Sequence, residues 1–241
     1  MKKKSDIDII GKALLDYQSG NFIENIITYS SIAGNDEMDI PFLFRSYDEM
    51  PIIEQKALDL CKGKVLDIGC GAGSHALYLQ NKNLKVKAID ISEGAIETCI
   101  LRGIKNAVIQ NIWRLKNEKY DTILVLMNGV GISEKLDKLT AFLVHLKHLL
   151  SAKGQIILDS SDVIYMYDEE KRETISKQTE NYYGDVVFEM VYQGQFSKLI
   201  PWLFVDLTTL QAHAKKAGLK CEMILEGYHH DFLVRLTPTN E

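Results

Sequence analysis

The sequence predicts an α/β protein built on a doubly wound, mostly parallel sheet of seven strands. From residue 52 to residue 159, short apolar runs alternate with segments of helical period, which is typical of parallel strands joined by helices. The first apolar run, residues 64–68, leads directly into a glycine-rich turn, as strands do at the ligand crevice of open α/β sheets. Near the end of the chain, two apolar runs flank Gly227, and so short a turn predicts that the last strand is antiparallel.

The individual elements follow from the same patterns. The predicted strands are residues 64–68, 85–90, 107–110, 121–127, 155–159, 220–226 and 229–236. The predicted helices are residues 52–61, 74–81, 93–102, 135–150 and 207–217. Ser92 is suited to cap the third of these helices, with Glu93 in its first turn. Right-handed crossovers are expected between the parallel strands.

Residues 1–50 precede the first predicted strand. Apolar pairs such as Ile9-Ile10 and Ile26-Ile27 recur there at helical spacing. These pairs predict a helical N-terminal extension, followed by a main domain over residues 51–241.

The main domain is interrupted by an insertion at about residues 165–205. It begins with a charge run, residues 168–173, which we interpret as a solvated segment. Two apolar runs then lie on either side of Gly194, and residues 180–205 are therefore predicted to form an inserted antiparallel β-hairpin.

Composition argues against several classes of protein. The 241 residues carry a net charge of −5, which argues against binding long nucleic acid. No apolar run approaches the length of a membrane span. The four cysteines are widely spaced and indicate reduced thiols in a cytoplasmic protein rather than a disulfide framework.

The glycine-rich turn points to a ligand. Its sequence, Val65-Leu66-Asp67-Ile68-Gly69-Cys70-Gly71-Ala72-Gly73, lets the backbone turn sharply and leaves bare main chain for a ligand. Seventeen residues after Gly73, the second strand ends in Asp90, and an acidic residue at that distance can bind the two hydroxyls of a ribose. The sequence therefore predicts a nucleoside-containing cofactor.

The same turn disfavours a dinucleotide. Ser74 stands where the dinucleotide fingerprint has its third glycine. Asp67 would repel a pyrophosphate, whereas it would attract a cation such as an amino group. A cofactor with a cationic end therefore fits better than a nicotinamide or flavin dinucleotide.

Residues 65–73 closely resemble motif I of the class I S-adenosylmethionine-dependent methyltransferases. The resemblance continues through residues 88–92, 120–126 and 149–158. It is close over residues 50–160 and loose over residues 205–236. It implies the Rossmann-like methyltransferase fold, S-adenosylmethionine as the cofactor, and an N-terminal segment that acts as a lid over it.

The resemblance also implies roles for particular residues. Asp67 would bind the methionine amino group, Asp90 the ribose hydroxyls, and Ile91 would pack on the adenine. Asn111 stands where the family often has an acidic residue that accepts a bond from the adenine amino group, and its amide oxygen can also accept one. The predicted cofactor-binding residues are Asp67, Gly69, Cys70, Gly71, Gly73, Asp90, Ile91, Asn111, Ile112 and Met127.

The residues after the fourth strand bear on the reaction. Methyltransferases acting on nucleobase or glutamine amino groups typically have Asn or Asp followed by two prolines; here Asn128 is followed by Gly129 and Val130, which argues against that class. No metal site is expected. The candidates for catalytic residues are Asn128, Tyr165 and His229.

We therefore expect S-adenosylmethionine-dependent methyl transfer to an O, N or C nucleophile of a small molecule by in-line displacement. An RNA or protein methyltransferase, or a non-catalytic assembly protein that binds the cofactor, is the alternative. We expect no nucleic-acid or membrane partner, and a homodimer could form through residues 180–205. The sequence gives neither the substrate nor the atom that is methylated.

Overall fold

The computed structural model describes residues 7–169 and 182–239. Its helices are α1 (Ile9–Gln18), α2 (Ile52–Asp59), α3 (Ser74–Asn81), α4 (Glu93–Leu101), α5 (Leu136–His148) and α6 (Leu207–Lys216). Its strands are β1 (Ile26–Ser30), β2 (Gly34–Met38), β3 (Lys64–Ile68), β4 (Lys85–Asp90), β5 (Ala107–Ile109), β6 (Tyr120–Val125), β7 (Leu150–Ser161), β8 (Asp185–Tyr192), β9 (Gln195–Phe196), β10 (Ile200–Leu203), β11 (Leu219–Glu226) and β12 (Asp231–Pro238). No helix in these two ranges is both long and apolar enough to cross a membrane.

The main sheet has seven strands in the order β11-β12-β7-β6-β3-β4-β5. The neighbours from β7 to β5 pair in parallel, whereas β12 is antiparallel to both β7 and β11. The predicted fold class is therefore confirmed. The chain order reverses direction at β3, so the carboxyl ends of β3 and β6 border the crevice where α/β sheets bind ligands.

Helices cover both faces of this sheet. Each of these helices packs on the sheet through the side that carries its apolar residues. In α5 the buried positions recur at helical spacing, at Leu139, Phe142, Leu143 and Leu146, and all four lie in the largest apolar core. Helix α4 begins as predicted, because the Ser92 hydroxyl accepts a hydrogen bond from the Ala95 N–H.

A second, antiparallel sheet lies outside the predicted architecture. Its strand order is β10-β8-β1-β2, with β9 also paired to β8. The N-terminal segment contributes a hairpin here, so the helix expected around Ile26-Ile27 is wrong: these residues open β1. Both are β-branched, and β8 offers them a partner edge, with Ile27 opposite Val191. Short apolar pairs cannot distinguish helix from strand by spacing alone.

The hairpin predicted for residues 180–205 is present from β8 to β10. Its turn lies at Gln193 and Gly194, both of which have positive φ. Most of the charge run at residues 168–173 lies outside the described residues, as do residues 1–6. The last strand begins at Asp231 rather than at residue 229, because residues 228–230 form the turn.

Helix α1 is held closely against α4. A Cβ atom on Gly94 would lie only 2.4 Å from the Gly11 carbonyl oxygen, so the two glycines allow the helices to approach. Asp8 fastens the contact, because its Oδ2 accepts hydrogen bonds from the Ser92 hydroxyl at 2.7 Å and from the Gly94 N–H at 3.2 Å. This packing brings α1 over the carboxyl end of β3.

Candidate active site

The glycine turn lies at the carboxyl end of β3. Gly69, Gly71 and Gly73 all have positive φ, at 70°, 51° and 81°. A Cβ on Gly71 would meet nothing within 4 Å, so this part of the turn faces open space. A Cβ on Gly73 would instead strike Ile104 and Cys99, so Gly73 is needed for packing rather than for ligand access.

Two aspartates flank this turn as predicted. Asp67 is only 2% exposed, and its Oδ2 has no hydrogen-bond partner in the described part of the chain. Burial raises the pKa of Asp67, because no cation compensates the charged form fully. Asp90 Oδ2 accepts a hydrogen bond from the Gly71 N–H at 3.0 Å, which ties the turn to the end of β4.

A cavity of about 60 Å³ lies over the turn. Its floor contains the predicted residues Asp67, Gly69, Cys70, Gly71 and Met127. It is covered from the N-terminal side by Ile10, Leu14, Leu43 and Arg45. This volume accommodates one end of a nucleoside cofactor. The remainder would extend over the adjoining surface, where Ile91 is 71% exposed.

Two other predicted contacts, with Asn111 and Ile112, stay predictions, and the structure shows which of their atoms are already used. The Oδ1 of Asn111 accepts a hydrogen bond from the Trp113 N–H at 2.9 Å, so one of its acceptor positions is already used. The Ile112 side chain packs in the largest core, and its carbonyl oxygen accepts a hydrogen bond from the Leu115 N–H and lies 2.8 Å from Nε2 of His145, so its backbone N–H is what remains for a ligand.

A buried charged cluster, formed by Arg45, Glu54 and His75, lies beside the cavity. Glu54 Oε2 accepts a hydrogen bond from the Arg45 guanidinium and lies 2.6 Å from Nε2 of His75. Arg45 also contacts the Met127 sulfur at 3.3 Å, while its Nε has no partner among the described residues. Arg45 and Glu54 were not found from the sequence, because nothing in the local pattern around them indicates a shared partner.

This cluster keeps Glu54 charged. Burial alone would raise the pKa of Glu54, but the hydrogen bond and charge of His75 and the Arg45 guanidinium together bring it below its ordinary value. Glu54 is 5% exposed, so it forms a buried ion pair with Arg45, and His75 is its second partner.

The segment after β6 has an unusual backbone. Met127 and Asn128 are consecutive residues with positive φ, at 59° and 55°, a conformation that costs free energy for residues other than glycine. The Asp159 carboxylate holds it in place by accepting hydrogen bonds from the N–H groups of Met127 at 3.0 Å and Asn128 at 2.8 Å. Burial raises the pKa of Asp159 to about 7, although these two N–H groups oppose the shift. Strain of this kind concentrates at functional sites.

A larger cavity of about 380 Å³ adjoins this segment. It shares Met127 with the smaller cavity over the glycine turn, so the two cavities meet at that residue. The three candidate catalytic residues, Asn128, Tyr165 and His229, all line it. His230 does not line it, and its ring stacks on Tyr165 with 4.6 Å between ring centroids.

These features together define a class of protein. A glycine turn between two acidic strand ends, in a seven-stranded sheet whose last strand is antiparallel, is the arrangement of class I S-adenosylmethionine-dependent methyltransferases. The residues present fit that cofactor, because a buried carboxylate oxygen of Asp67 and a buried guanidinium nitrogen of Arg45, neither with a partner among the described residues, belong to side chains that border the cavity over the turn.

Comparison with known proteins agrees. Residues 61–216 match the family model described as a methyltransferase domain. A methyltransferase from Bacteroides fragilis, solved in complex with S-adenosyl-L-homocysteine, is 38% identical, with a TM-score of 0.88 over 97% of this chain and 95% of that one. The chain therefore belongs to the S-adenosylmethionine-dependent methyltransferases, and its cofactor is S-adenosylmethionine.

More distant relatives have a lower sequence identity or match a smaller part of the chain. The sugar N-methyltransferase KedS8 from Streptoalloteichus is 10% identical over 78% of this chain and 85% of that one, with a TM-score of 0.55, which shows the fold alone. The ubiquinone biosynthesis O-methyltransferase of Rickettsia typhi is 30% identical over 108 residues. That match spans 42% of each chain, so less than half of this relative's length is covered.

The contact between α1 and α4 gives a testable prediction. We expect Gly94→Ala to weaken binding of S-adenosylmethionine by about tenfold or more, because the new Cβ would separate α1, which carries Ile10 and Leu14 over the cavity, from α4. Titration calorimetry measures the effect. Glu97→Ala, at an exposed position of the same helix, is the matched control and should bind normally. Equal affinity in both variants would contradict the role of α1 as a cover.

Proposed function

We propose that this enzyme transfers the methyl group of S-adenosylmethionine to a small molecule held in the 380 Å³ cavity. The observation that carries the proposal is the meeting of the two cavities at Met127. A cofactor whose methionine end occupies the smaller cavity would direct its methyl group toward the larger one. The volume of the larger cavity lies in the usual range for small-molecule sites.

We assign the two ends of the methionine moiety to two buried groups. Asp67 would bind the ammonium group through Oδ2, and Arg45 would bind the carboxylate through Nε. Both atoms lack partners among the described residues, and both side chains line the smaller cavity. Pairing them with the opposite charges of the cofactor would relieve the cost of leaving them buried and unsatisfied.

The remaining cofactor contacts are assigned by position. The two hydroxyls of the ribose would bind the Asp90 carboxylate, whose oxygens each retain an acceptor position after binding the Gly71 and Ser92 N–H groups. The adenine would pack on the exposed Ile91 side chain.

Bound S-adenosylmethionine supplies a methyl group on a positively charged sulfur, which a nucleophile can displace in line. The chain contributes position and exclusion of water, which in favourable intramolecular models lowers the barrier by about 7–11 kcal/mol. Asn128, Tyr165 and His229 would orient the acceptor, since all three line the larger cavity.

The domain organisation proposed from the sequence can be made more specific. Residues up to 50 would act as the lid, with α1 and the segment around Arg45 over the cofactor. Phe204, which follows β10, brings the end of the inserted hairpin to the larger cavity. The homodimer through residues 180–205 stays a prediction.

Transfer of labelled methyl groups tests the proposal. The protein is incubated with methyl-labelled S-adenosylmethionine and, separately, with the small-molecule extract, the RNA and the protein fraction of the source cells. We expect label in the small-molecule fraction. The ubiquinone biosynthesis relatives carry the name of a small-molecule O-methyltransferase, which supports this expectation. Label confined to RNA or protein, or no transfer at all, would refute it.

A further inference from the structure

Carboxylates predominate among the ionisable groups that line the larger cavity. The side chains that can carry negative charge are Glu54, Asp159 and Asp231. Among the described residues that line it, His229 alone can carry a positive charge. The other walls are largely apolar and include Ile53, Val163, Met166 and Phe204. A cavity of this composition suits a positively charged group attached to an apolar body.

Two of the carboxylates lie close to Met127, which lines both cavities. Asp159 binds the Met127 N–H at 3.0 Å, and Met127 is the residue at which the two cavities meet. Glu54 is close enough for its charge to raise the pKa of Asp159. Both carboxylates therefore border the junction through which a methyl group would pass.

Glu54 retains an acceptor for a ligand. Its contacts with Arg45 and His75 both involve Oε2. Neither of these two contacts uses Oε1, in a residue that is only 5% exposed and lines the larger cavity. Arg45 lines the smaller cavity and not the larger one, although its guanidinium reaches the Met127 sulfur that borders both.

We propose that the methyl acceptor is an aliphatic amine with an apolar body, whose nitrogen binds between Glu54 and Asp159. This inference rests on the proposed function and names the substrate class of the same cavity. Aliphatic amines differ from the conjugated amino groups of nucleobases and glutamine, whose methyltransferases carry the two prolines that Gly129 and Val130 replace.

The proton and the charge can be followed through the reaction. An amine arrives as R–NH₃⁺, and the Asp159 carboxylate accepts one proton, which leaves R–NH₂ with a free electron pair. The nitrogen pair forms the N–CH₃ bond as the C–S bond breaks and its electrons remain on sulfur. The product, R–NH₂⁺–CH₃, carries the positive charge beside Glu54, and Asp159 returns its proton to solvent.

The surroundings of Asp159 suit it to accept the proton, and those of Glu54 suit it to stabilise the positive charge. A carboxyl group exchanges protons best near its own pKa, and that of Asp159 is raised by burial to about 7. Glu54, whose pKa is lowered, stays charged and would stabilise the positive charge as it moves from sulfur to nitrogen. Acceptors that are carboxylates or phosphates would be repelled by the same groups.

Chemical blocking of amines tests the proposal. Half of the small-molecule extract is treated with the N-hydroxysuccinimide ester of acetic acid, which acylates amines, and both halves are incubated with the enzyme and methyl-labelled S-adenosylmethionine. We expect transfer to fall at least tenfold in the treated half. Equal transfer in both halves would overturn the amine assignment while leaving small-molecule methylation intact. Absence of label from the untreated half would refute the proposed function itself, and the inference with it.

A variant of Glu54 tests whether this residue recognises the methyl acceptor or only maintains the fold. Glu54→Gln is expected to lower transfer to the untreated extract at least tenfold, which is more than it lowers the affinity for S-adenosyl-L-homocysteine, whose carboxylate the neighbouring Arg45 would bind. Glu97→Gln, exposed on α4, is the matched control. If Glu54→Gln does not fold, Asp231→Asn replaces it, because Asp231 also lines the cavity with a carboxylate, and it should lower transfer to the untreated extract at least threefold. Unchanged transfer in the folded variant would overturn the proposal.

Discussion

Replacing Asp90 by alanine is expected to abolish measurable binding of S-adenosylmethionine while the protein stays folded. The carboxylate would lose two charged hydrogen bonds to the ribose, each contributing about 1.5–3 kcal/mol. Since 1.4 kcal/mol is a tenfold change in affinity, binding should weaken by roughly 10²–10⁴-fold. The Gly71 N–H would also lose its acceptor, which loosens the turn against β4.

Titration calorimetry measures this loss, and circular dichroism with thermal melting shows whether the fold survives. Asp36→Ala is the matched control, because Asp36 is exposed on the β1–β2 hairpin and distant in sequence from the glycine turn. An unchanged affinity in a folded Asp90→Ala protein would mean that the ribose is not bound at the end of β4.

The second large effect is expected at Asp67, where stability and binding should change independently. Asp67→Asn removes the charge of a buried carboxylate, one oxygen of which has no hydrogen-bond partner among the described residues. Because burial already disfavours the charged form, the free energy of unfolding of the cofactor-free protein should stay within about 1 kcal/mol of wild type or increase. Affinity for S-adenosylmethionine should fall by roughly 10–100-fold as the contact with the ammonium group is lost.

Urea denaturation and calorimetry together provide the measurement. Asp121→Asn is the matched control, since the Asp121 carboxylate accepts hydrogen bonds from the Lys64 N–H at 2.8 Å and the Ser151 hydroxyl at 2.6 Å. There the opposite result is expected, with lower stability and normal affinity. A parallel loss of stability and affinity in Asp67→Asn would indicate a structural role only.

The features that sequence predicts well here are those carried by neighbouring residues. The glycine turn, the acidic ends of β3 and β4, and the alternation of helices and strands each depend on a short stretch of chain. The comparison with the Bacteroides fragilis enzyme confirms the fold and cofactor inferred from them.

The features that were missed depend on contacts between distant residues. Arg45 reaches the Met127 sulfur across 82 positions of sequence, so no local pattern could indicate it. Asp159 is the last residue of a predicted strand, but its part in holding Met127 and Asn128 depends on their left-handed backbone. Strand β1 was assigned as helix because its partner edge, β8, lies far along the chain.

Because β1 pairs with β8, residues 26–38 and 185–203 form one sheet and depend on each other structurally. Ile27 lies opposite Val191 and Ser30 opposite Phe188, so neither segment completes its sheet without the other. Recombination between relatives that exchanged only one segment would pair mismatched edges. Exchanging this sheet between relatives therefore requires the two distant stretches of gene to be replaced together.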